Sequence, residues 1–316
     1  MNSRKVKVGV VGVGSLGKAH ARIYSELPEA DLVGIFDVDA ARAAAMAKEY
    51  GTEAYADMDA LAARVEAVSV VVPTDRHHEV GLRLLDRGVH LLIEKPIASS
   101  TAEAEELVAR AQEKKAILQV GHVERFNPVL SFLDGLHHPP RFIEAHRLAP
   151  YPPPRPGLPP RGTEVSVVLD LMIHDIEVIL HLVRSPVREI RAVGVPVLSP
   201  TEDIANVRLE FENGGVANIT ASRISPERMR KIRVFLEDTY ISLDYQNQAG
   251  ELFRKSAGGI SREDIPIEKG EPLALELRSF LRCVANRNRP VVSGEHAAEA
   301  LKLAVAITRR IREGAA

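Results

Sequence analysis

The chain has 316 residues, 45% of them hydrophobic and 27% charged, with a formal net charge of -2. That length suits two domains rather than one small core, and the near-neutral balance gives no bulk electrostatic case for nucleic acid or an anionic membrane surface as partner. The single cysteine, Cys283, excludes an internal disulfide framework and fits a reducing, cytoplasmic setting.

The N-terminal apolar stretch is short and broken by glycine, so it does not read as a signal peptide, and no run reaches the roughly 18 apolar residues of a membrane span. Residues 6–12, 30–38, 66–73, 89–96 and 116–122 are short apolar runs that predict buried parallel strands. Residues 15–26, 39–50, 76–87 and 101–114 carry helical periodicity between them. Ser100-Thr101 followed by Glu103 and Glu105 has the composition of a helix start. Strand and helix in strict alternation predict a doubly wound α/β sheet over residues 1–122.

The first crossover reads Gly12-Val13-Gly14-Ser15-Leu16-Gly17. It follows a strand, opens a helix, and is answered by Asp37, 20 residues beyond Gly17. In that context it predicts a dinucleotide-binding turn. Gly12 permits the tight turn, Gly14 lets backbone approach a pyrophosphate at the positive helix end, and Gly17 lets helix and sheet pack closely. Ser15 and Leu16 belong to the same cradle. Asp37 can accept hydrogen bonds from the adenosine ribose and would repel a 2′-phosphate, which favours NAD; the nearby Arg42 leaves NADP open.

Ligands of such sheets collect beyond the carboxyl ends of the strands. Two of those ends are chemically rich: Pro73-Thr74-Asp75-Arg76-His77-His78-Glu79 and Glu94-Lys95-Pro96. Pro73, Thr74, His77, Glu94 and Lys95 are therefore candidate cofactor neighbours, with Lys95 close to the expected nicotinamide. The plain alternatives are a solvated loop lysine and an ordinary helix N-terminal turn.

From about residue 123 the pattern changes. A helix-like ERFNPVLSFLDGL is followed by RFIEAHRLA and a proline-dense stretch at 150–162, stiff and extended, that reads equally as a wall or lid of a site and as a connector. His137-His138 precedes two prolines and lacks paired ligands, so it reads as loop rather than metal site. Residues 167–180, VVLDLMIHDIEVIL, read as a mostly buried helix. At about 100° per residue, Asp170, His174, Glu177 and the following His181 fall on one stripe roughly 60° wide. Asp175 stands alone among apolar neighbours and needs a partner, backbone amides or an arginine. Glu177 and His181 read as outer or solvated members of the stripe. Residues 187–198, 204–212, 215–223, 230–237 and 239–244 then predict strands with antiparallel pairing, and helices at 272–286 and 294–312 close the chain.

GVGSLG, PTDRHHE, EKP, GHVERFNP, DLMIHDIE and the closing RPVVSGEHAAEALKLAVAI, in this order, resemble the glucose–fructose oxidoreductase / inositol dehydrogenase / MocA family. The resemblance implies an α/β protein: a Rossmann domain (1–122), then an α+β domain (123–316) on a large, open, mostly antiparallel sheet. That sheet often forms the oligomer interface, so a homodimer or homotetramer is expected. Lys95 matches the family's catalytic lysine, and Asp170 and His174 match the acid and the histidine facing the nicotinamide. His77 fits the histidine of the family's Pro-Asn-x-x-His-x-Glu stretch, with Thr74 in place of the asparagine.

The implied reaction is NAD-dependent oxidation of a secondary hydroxyl of a sugar. Within it His174 takes the hydroxyl proton, Asp170 orients the imidazole, and Lys95 hydrogen-bonds the reacting oxygen. Arg125 and Asn127 are candidate substrate-binding groups; Arg125 serves equally well as a structural ion pair. ERFNP joined to the DLMIHDIE helix resembles the subgroup of the family that acts at C3 of UDP-N-acetylglucosamine; Arg125, Arg147, Arg155 and Arg161 are available for the diphosphate that this resemblance implies. A polyol or free-sugar dehydrogenase of the inositol or glucose type is the alternative. A dinucleotide-binding regulator is a third reading, disfavoured by the presence of both Lys95 and His174.

Overall fold

The computed structural model describes residues 4–136, 138–155, 160–256 and 258–314. Two compact units emerge, Met1–Val123 with Glu271–Glu299, and Glu124–Gly270 with Ala300–Ala316. The linear division at 122/123 thus needs correction, because residues 271–299 return to the first unit. The reason is apolar packing. Leu277, Phe280, Leu281 and Val284 of the helix Pro272–Asn286 share one buried cluster with Val8, Val10, Ile23 and Tyr24. Next along the chain, Val120 N donates to Val292 O at 3.1 Å.

The first unit runs β1 (Val6–Val11), α1 (Ser15–Glu26), β2 (Ala30–Phe36), α2 (Ala40–Tyr50), β3 (Glu53–Ala54), α3 (Met58–Ala62), β4 (Ala67–Val70), α4 (His77–Asp86), β5 (His90–Glu94), α5 (Thr101–Glu113) and β6 (Leu118–Gly121). The strands are parallel in the order β3-β2-β1-β4-β5-β6. The order reverses between β1 and β4, which places the ligand crevice beyond their carboxyl ends. Every residue of β4, β5 and β6 is buried, as strands covered on both faces require. The helix start read at Ser100 is a reciprocal cap: Ser100 Oγ accepts from Glu103 N, and Glu103 Oε2 accepts from Ser99 N.

The second unit contains α6 (Ser131–Asp134), β7 (Phe142–Leu148), α7 (Ile173–Val183), β8 (Val187–Val195), β9 (Ile204–Phe211), β10 (Val216–Ser222), β11 (Met229–Phe235), β12 (Thr239–Asp244), β13 (Ala249–Ser256) and β14 (Gly259–Asp264). Helix α8 (Pro272–Asn286) follows in the first unit, and α9 (Gly294–Gly314) ends in the second. The eight strands form one sheet, β14-β13-β12-β11-β7-β10-β9-β8. Only β10 and β7 pair in parallel. So β10 and β11, consecutive in sequence, are separated by β7 rather than paired. Ile143 and Ala145, Val207 and Leu209, Ala217 and Ile219, and Ile232 and Val234 point into the core. On the opposite face Phe142, Phe235, Tyr240 and Phe253 make a row, with ring centroids 5.4, 4.6 and 5.0 Å apart in turn.

Two sequence expectations change here. ERFNPVLSFLDGL is not a continuous helix but a 3₁₀ turn at Val123–Phe126 and the short α6, since Pro128 cannot donate to a helical ladder. The helix expected over 167–180 opens as a π turn, Val168–Met172, before α7 begins. The wall-or-lid reading of 150–162 falls in part on residues 156–159, and the His137-His138 reading in part on 137, all outside the described residues. Among the described residues no helix is long and apolar enough to cross a membrane, and no group of His, Cys, Asp and Glu could hold a metal ion.

Candidate active site

The turn after β1 accepts glycine alone at two places. A Cβ on Gly12, whose φ is +87°, would sit 2.6 Å from Val71 O, and one on Gly17 would sit 1.9 Å from Gly12 O. Gly14 is the N-cap of α1 and offers no side-chain cap, while nothing lies within 4 Å of where its Cβ would be. The first-turn amides of α1 are thus left for a ligand's pyrophosphate. Ser15 is exposed and Leu16 half-buried beside them. Asp37 accepts from Val13 N at 2.8 Å through Oδ2 and from Asp39 N at 2.9 Å through Oδ1. Oδ2 keeps a further lone pair for a ribose hydroxyl, so the residues present fit NAD. Arg42 Nη1 stands 3.5 Å from Asp37 Oδ1, which leaves the cation within reach of a 2′-phosphate. Asp37→Ala is expected to weaken NAD about 10- to 100-fold, the worth of charged hydrogen bonds, and to narrow its advantage over NADP. Titration of both nucleotides by calorimetry checks this.

Lys95 follows β5 directly, half-buried, and its bond to Pro96 is cis. Glu94 fixes the approach to it. Its Oε2 accepts from Lys95 N at 3.2 Å, its Oε1 lies 3.1 Å from His20 Nε2, and a Cβ on Gly121 would come within 2.9 Å of the carboxylate. Glu276, fully buried and without a partner for either carboxyl oxygen among the described residues, is pushed well up by burial and by the charge of Glu94.

His77 is corrected from cofactor neighbour to fastening. It is 1% exposed, with Nδ1 2.8 Å from Pro96 O and Nε2 3.0 Å from Val72 O. Both ring nitrogens face backbone carbonyls; burial pushes its pKa down, and the neutral ring donates to one of the two, so it packs between the segment after β4 and the Lys95-Pro96 turn. Pro73 is exposed and Thr74, half-buried, opens a 3₁₀ turn before α4.

In the second unit Asp170 lies in the π turn and His174 in the first turn of α7, 9% exposed. The wider i→i+5 turn recurs at functional sites. Their neighbours on the stripe divide: His181 stays partly exposed beside Asp134, in keeping with its solvated reading, whereas Glu177 is not solvated, which corrects the sequence reading. Glu177 is 2% exposed and accepts from Arg125 Nη1 at 2.8 Å, with that arginine's side chain only 6% exposed. Arg125 is therefore an ion-pair partner, and its assignment to substrate is withdrawn. Asn127 is buried too, with Nδ2 donating to Tyr245 O at 3.1 Å, so it is structural rather than substrate-binding. Arg147 leaves the diphosphate set for the same reason: it holds Asp175 and Glu124 in the interior. Asp175 thus has the arginine its position demanded. Arg161 is exposed.

Burial pushes the Glu177 carboxyl up to about 7, the Arg125 charge only partly opposing it. A carboxyl raised on folding stabilises the fold below its unfolded pKa and loses that contribution as pH rises through the folded value. Stability should therefore decline between about pH 4.5 and 7 on this account. Glu177→Gln should flatten that slope in thermal melts taken across the interval.

A switch-point crevice bordered by uncapped amides, with a lysine at the next strand end, defines the first unit as that of a nucleotide-dependent oxidoreductase. Comparison with known proteins narrows this. Residues 6–122 match the family profile described as oxidoreductase family, NAD-binding Rossmann fold, and residues 139–242 match the GFO/IDH/MocA C-terminal domain. UDP-N-acetylglucosamine 3-dehydrogenase from Acidithiobacillus ferrooxidans is 38% identical over 314 residues, 96% of this chain and 97% of that protein. A solved structure of UDP-N-acetylglucosamine 3-dehydrogenase from that organism superposes with a TM-score of 0.92 at 35% identity, covering 98% of both chains. The NAD-dependent scyllo-inositol 2-dehydrogenase of Bacillus subtilis is 26% identical over 98% of this chain and 95% of its own. The chain belongs to the GFO/IDH/MocA family, and it is an NAD-type sugar dehydrogenase.

Proposed function

We propose that the chain oxidises C3 of UDP-N-acetylglucosamine to the 3-keto sugar with NAD. The observation that carries this reading is the 38% identity to an enzyme of that activity over nearly the whole of both chains. Bound NAD supplies the hydride acceptor, and the protein supplies alignment and proton handling. His174 accepts the proton of the C3 hydroxyl as its carbon gives up hydride. Asp170 orients the imidazole and stabilises the charge it gains. Lys95 Nζ donates to the same oxygen and holds it in line. Arg161, exposed at the entry to the π turn, is the cation assigned to the diphosphate. The aromatic row on the outer face of the eight-stranded sheet supports self-association there as a homodimer or homotetramer, which light scattering measures.

A panel of UDP-sugars, inositols and free hexoses with NAD and NADP, followed at the absorbance of reduced nicotinamide, tests the substrate. Turnover of UDP-N-acetylglucosamine well above the rest is the expected result. Turnover of an inositol or glucose with none of the nucleotide sugar would replace this reading with the polyol or free-sugar one.

A further inference from the structure

The carboxylate of Asp170 has a wall that its own helix does not supply. A Cβ placed on Gly162 would lie 2.4 Å from Asp170 Oδ2 and 2.9 Å from its Cγ. Gly162 also holds a φ of +81°, a conformation that side chains disfavour. Its bare backbone is pressed against the acid for two separate reasons. Yet Gly162 belongs to no helix or strand, so something else must keep it there.

That fixture is Arg223. It stands just beyond β10, and Asp203 just before β9, one step past the last paired residues, Ser222 and Ile204. Arg223 N continues the ladder to Asp203 O at 2.9 Å. The side chain then uses every N–H it has. Nε donates to Asp203 Oδ1 at 2.8 Å; Nη1 donates to Gly162 O at 2.5 Å and Val165 O at 2.9 Å; Nη2 donates to Ser199 Oγ at 3.0 Å and Thr201 Oγ1 at 2.8 Å. Asp203 Oδ2 accepts in turn from the amides of Val197, Leu198 and Ser199. Thr201 Oγ1 lies 2.8 Å from Val165 O and 3.2 Å from Thr163 O, and Val167 N donates to Glu202 O at 2.9 Å. Residues 162–167, which lead into the π turn, are thus tied to the end of the β9–β10 ladder at Gly162, Thr163, Val165 and Val167.

The side chains of Arg223 and Asp203 are 2% and 0% exposed. A buried ion pair adds little stability over apolar residues of the same volume. What five fixed bonds do supply is direction. We propose that Arg223, held by Asp203, is a positioning residue for the reaction: it fixes Gly162, and Gly162 sets where the Asp170 carboxylate points. This rests on the role given to Asp170 above.

Arg223→Ala is the wrong test, because it strands a buried carboxylate and threatens the fold. Gly162→Ala and Thr201→Val leave the ion pair in place. In the full-length enzyme, Gly162→Ala should lower kcat about 10²-fold, the loss typical of an ångström-scale misplacement. Thr201→Val should lower it about tenfold, the worth of one hydrogen bond. The NAD dissociation constant should stay at the parental value in both. Adding Gly162→Ala to Asp170→Asn should cost nothing further, because two changes acting through one group are not additive. Parental kcat in either single variant, or a full multiplied loss in the double, overturns the proposal. Parental kcat in Asp170→Asn would remove the catalytic reading and the clamp with it. Impairment of Asp170→Asn alone would sink only the clamp.

Discussion

Replacing His174 by alanine is expected to cut turnover by about 10²–10⁴-fold, the range a positioned general base contributes. The NAD dissociation constant should not move. The imidazole is 9% exposed on a helix whose Ile173, Ile176 and Val178 are nearly or fully buried, and burying a polar ring there is costly unless it has work to do. The groups proposed to hold the dinucleotide, Gly12 to Gly17 and Asp37, belong to the first unit, and His174 to the second. Proton transfer and cofactor binding should therefore separate cleanly. His174→Gln sharpens the test, since an amide keeps hydrogen-bonding capacity but accepts no proton at neutral pH. It should be as slow as the alanine variant. Steady-state kcat with saturating sugar, beside calorimetric titration of NAD, reads both quantities. Equal loss of turnover and of NAD affinity would instead mark His174 as structural.

The first unit was legible in the sequence because its signals are local. Gly12 and Gly17 sit within one turn and answer a steric demand of that same turn, and the five strands read from sequence are mainly apolar runs; the exposed two-residue β3 carries no such signal and was missed. What else escaped depends on distance along the chain. The apolar stripe of α8 announces a helix but not whose core it enters, and it joins the first unit after a separation of more than a hundred residues. The parallel pairing of β10 with β7 is likewise non-local, and no residue of either strand encodes it. The π turn left no mark, since Val168–Met172 is as apolar as the α-helical turn it replaces.

The same division runs through the site. Glu94 and Lys95 stand out in the sequence because they end a predicted strand, and Asp170 and His174 because they share one helical face. Asn127 and Arg147 read as available to ligand and Glu177 as outer or solvated, while Arg125 stays open between substrate and ion pair, because a charged or amide side chain read alone does not show its partner. Their partners lie far off in sequence: Glu177 is 52 residues from Arg125, and Asp175 is 28 from Arg147. Asp203 and Arg223 could have been suspected, since each stands at the edge of a predicted strand and their predicted strands form a hairpin.

Removing Arg147 should be the most damaging single change to stability. The guanidinium is bidentate to Asp175, Nε to Oδ2 at 2.7 Å and Nη2 to Oδ1 at 3.1 Å, and its Nη1 reaches Glu124 Oε1 at 2.8 Å. The three side chains are 4%, 1% and 5% exposed. Arg147→Met keeps the volume and deletes the charge, leaving two buried carboxylates with one half-exposed cation, Arg230, whose Nη1 is 3.4 Å from Glu124 Oε1. Breaking such a pair from one side costs about 3–5 kcal/mol. In a unit of this size that lowers the melting midpoint by roughly 10 °C.

The pH dependence gives the cause away. Burial alone would push the Glu124 carboxyl up, and in the parent the Arg147 charge overcomes it and holds the group below its usual value. The parent's contribution is then present at neutral pH and is lost as pH falls through that depressed value. Without Arg147 burial wins at Glu124 too, the Asp175 carboxyl, which burial already holds above its usual value, rises further, and the variant is penalised most where they must ionise. The gap between parent and variant should therefore be widest at neutral pH and close towards pH 4, opposite in sense to the Glu177 slope. Neutralising both acids in the same background (Glu124→Gln with Asp175→Asn) should restore much of the midpoint, because the damage lies in stranded charge rather than in a lost contact. A variant that melts within about 2 °C of the parent at neutral pH would show that the triad carries no such charge.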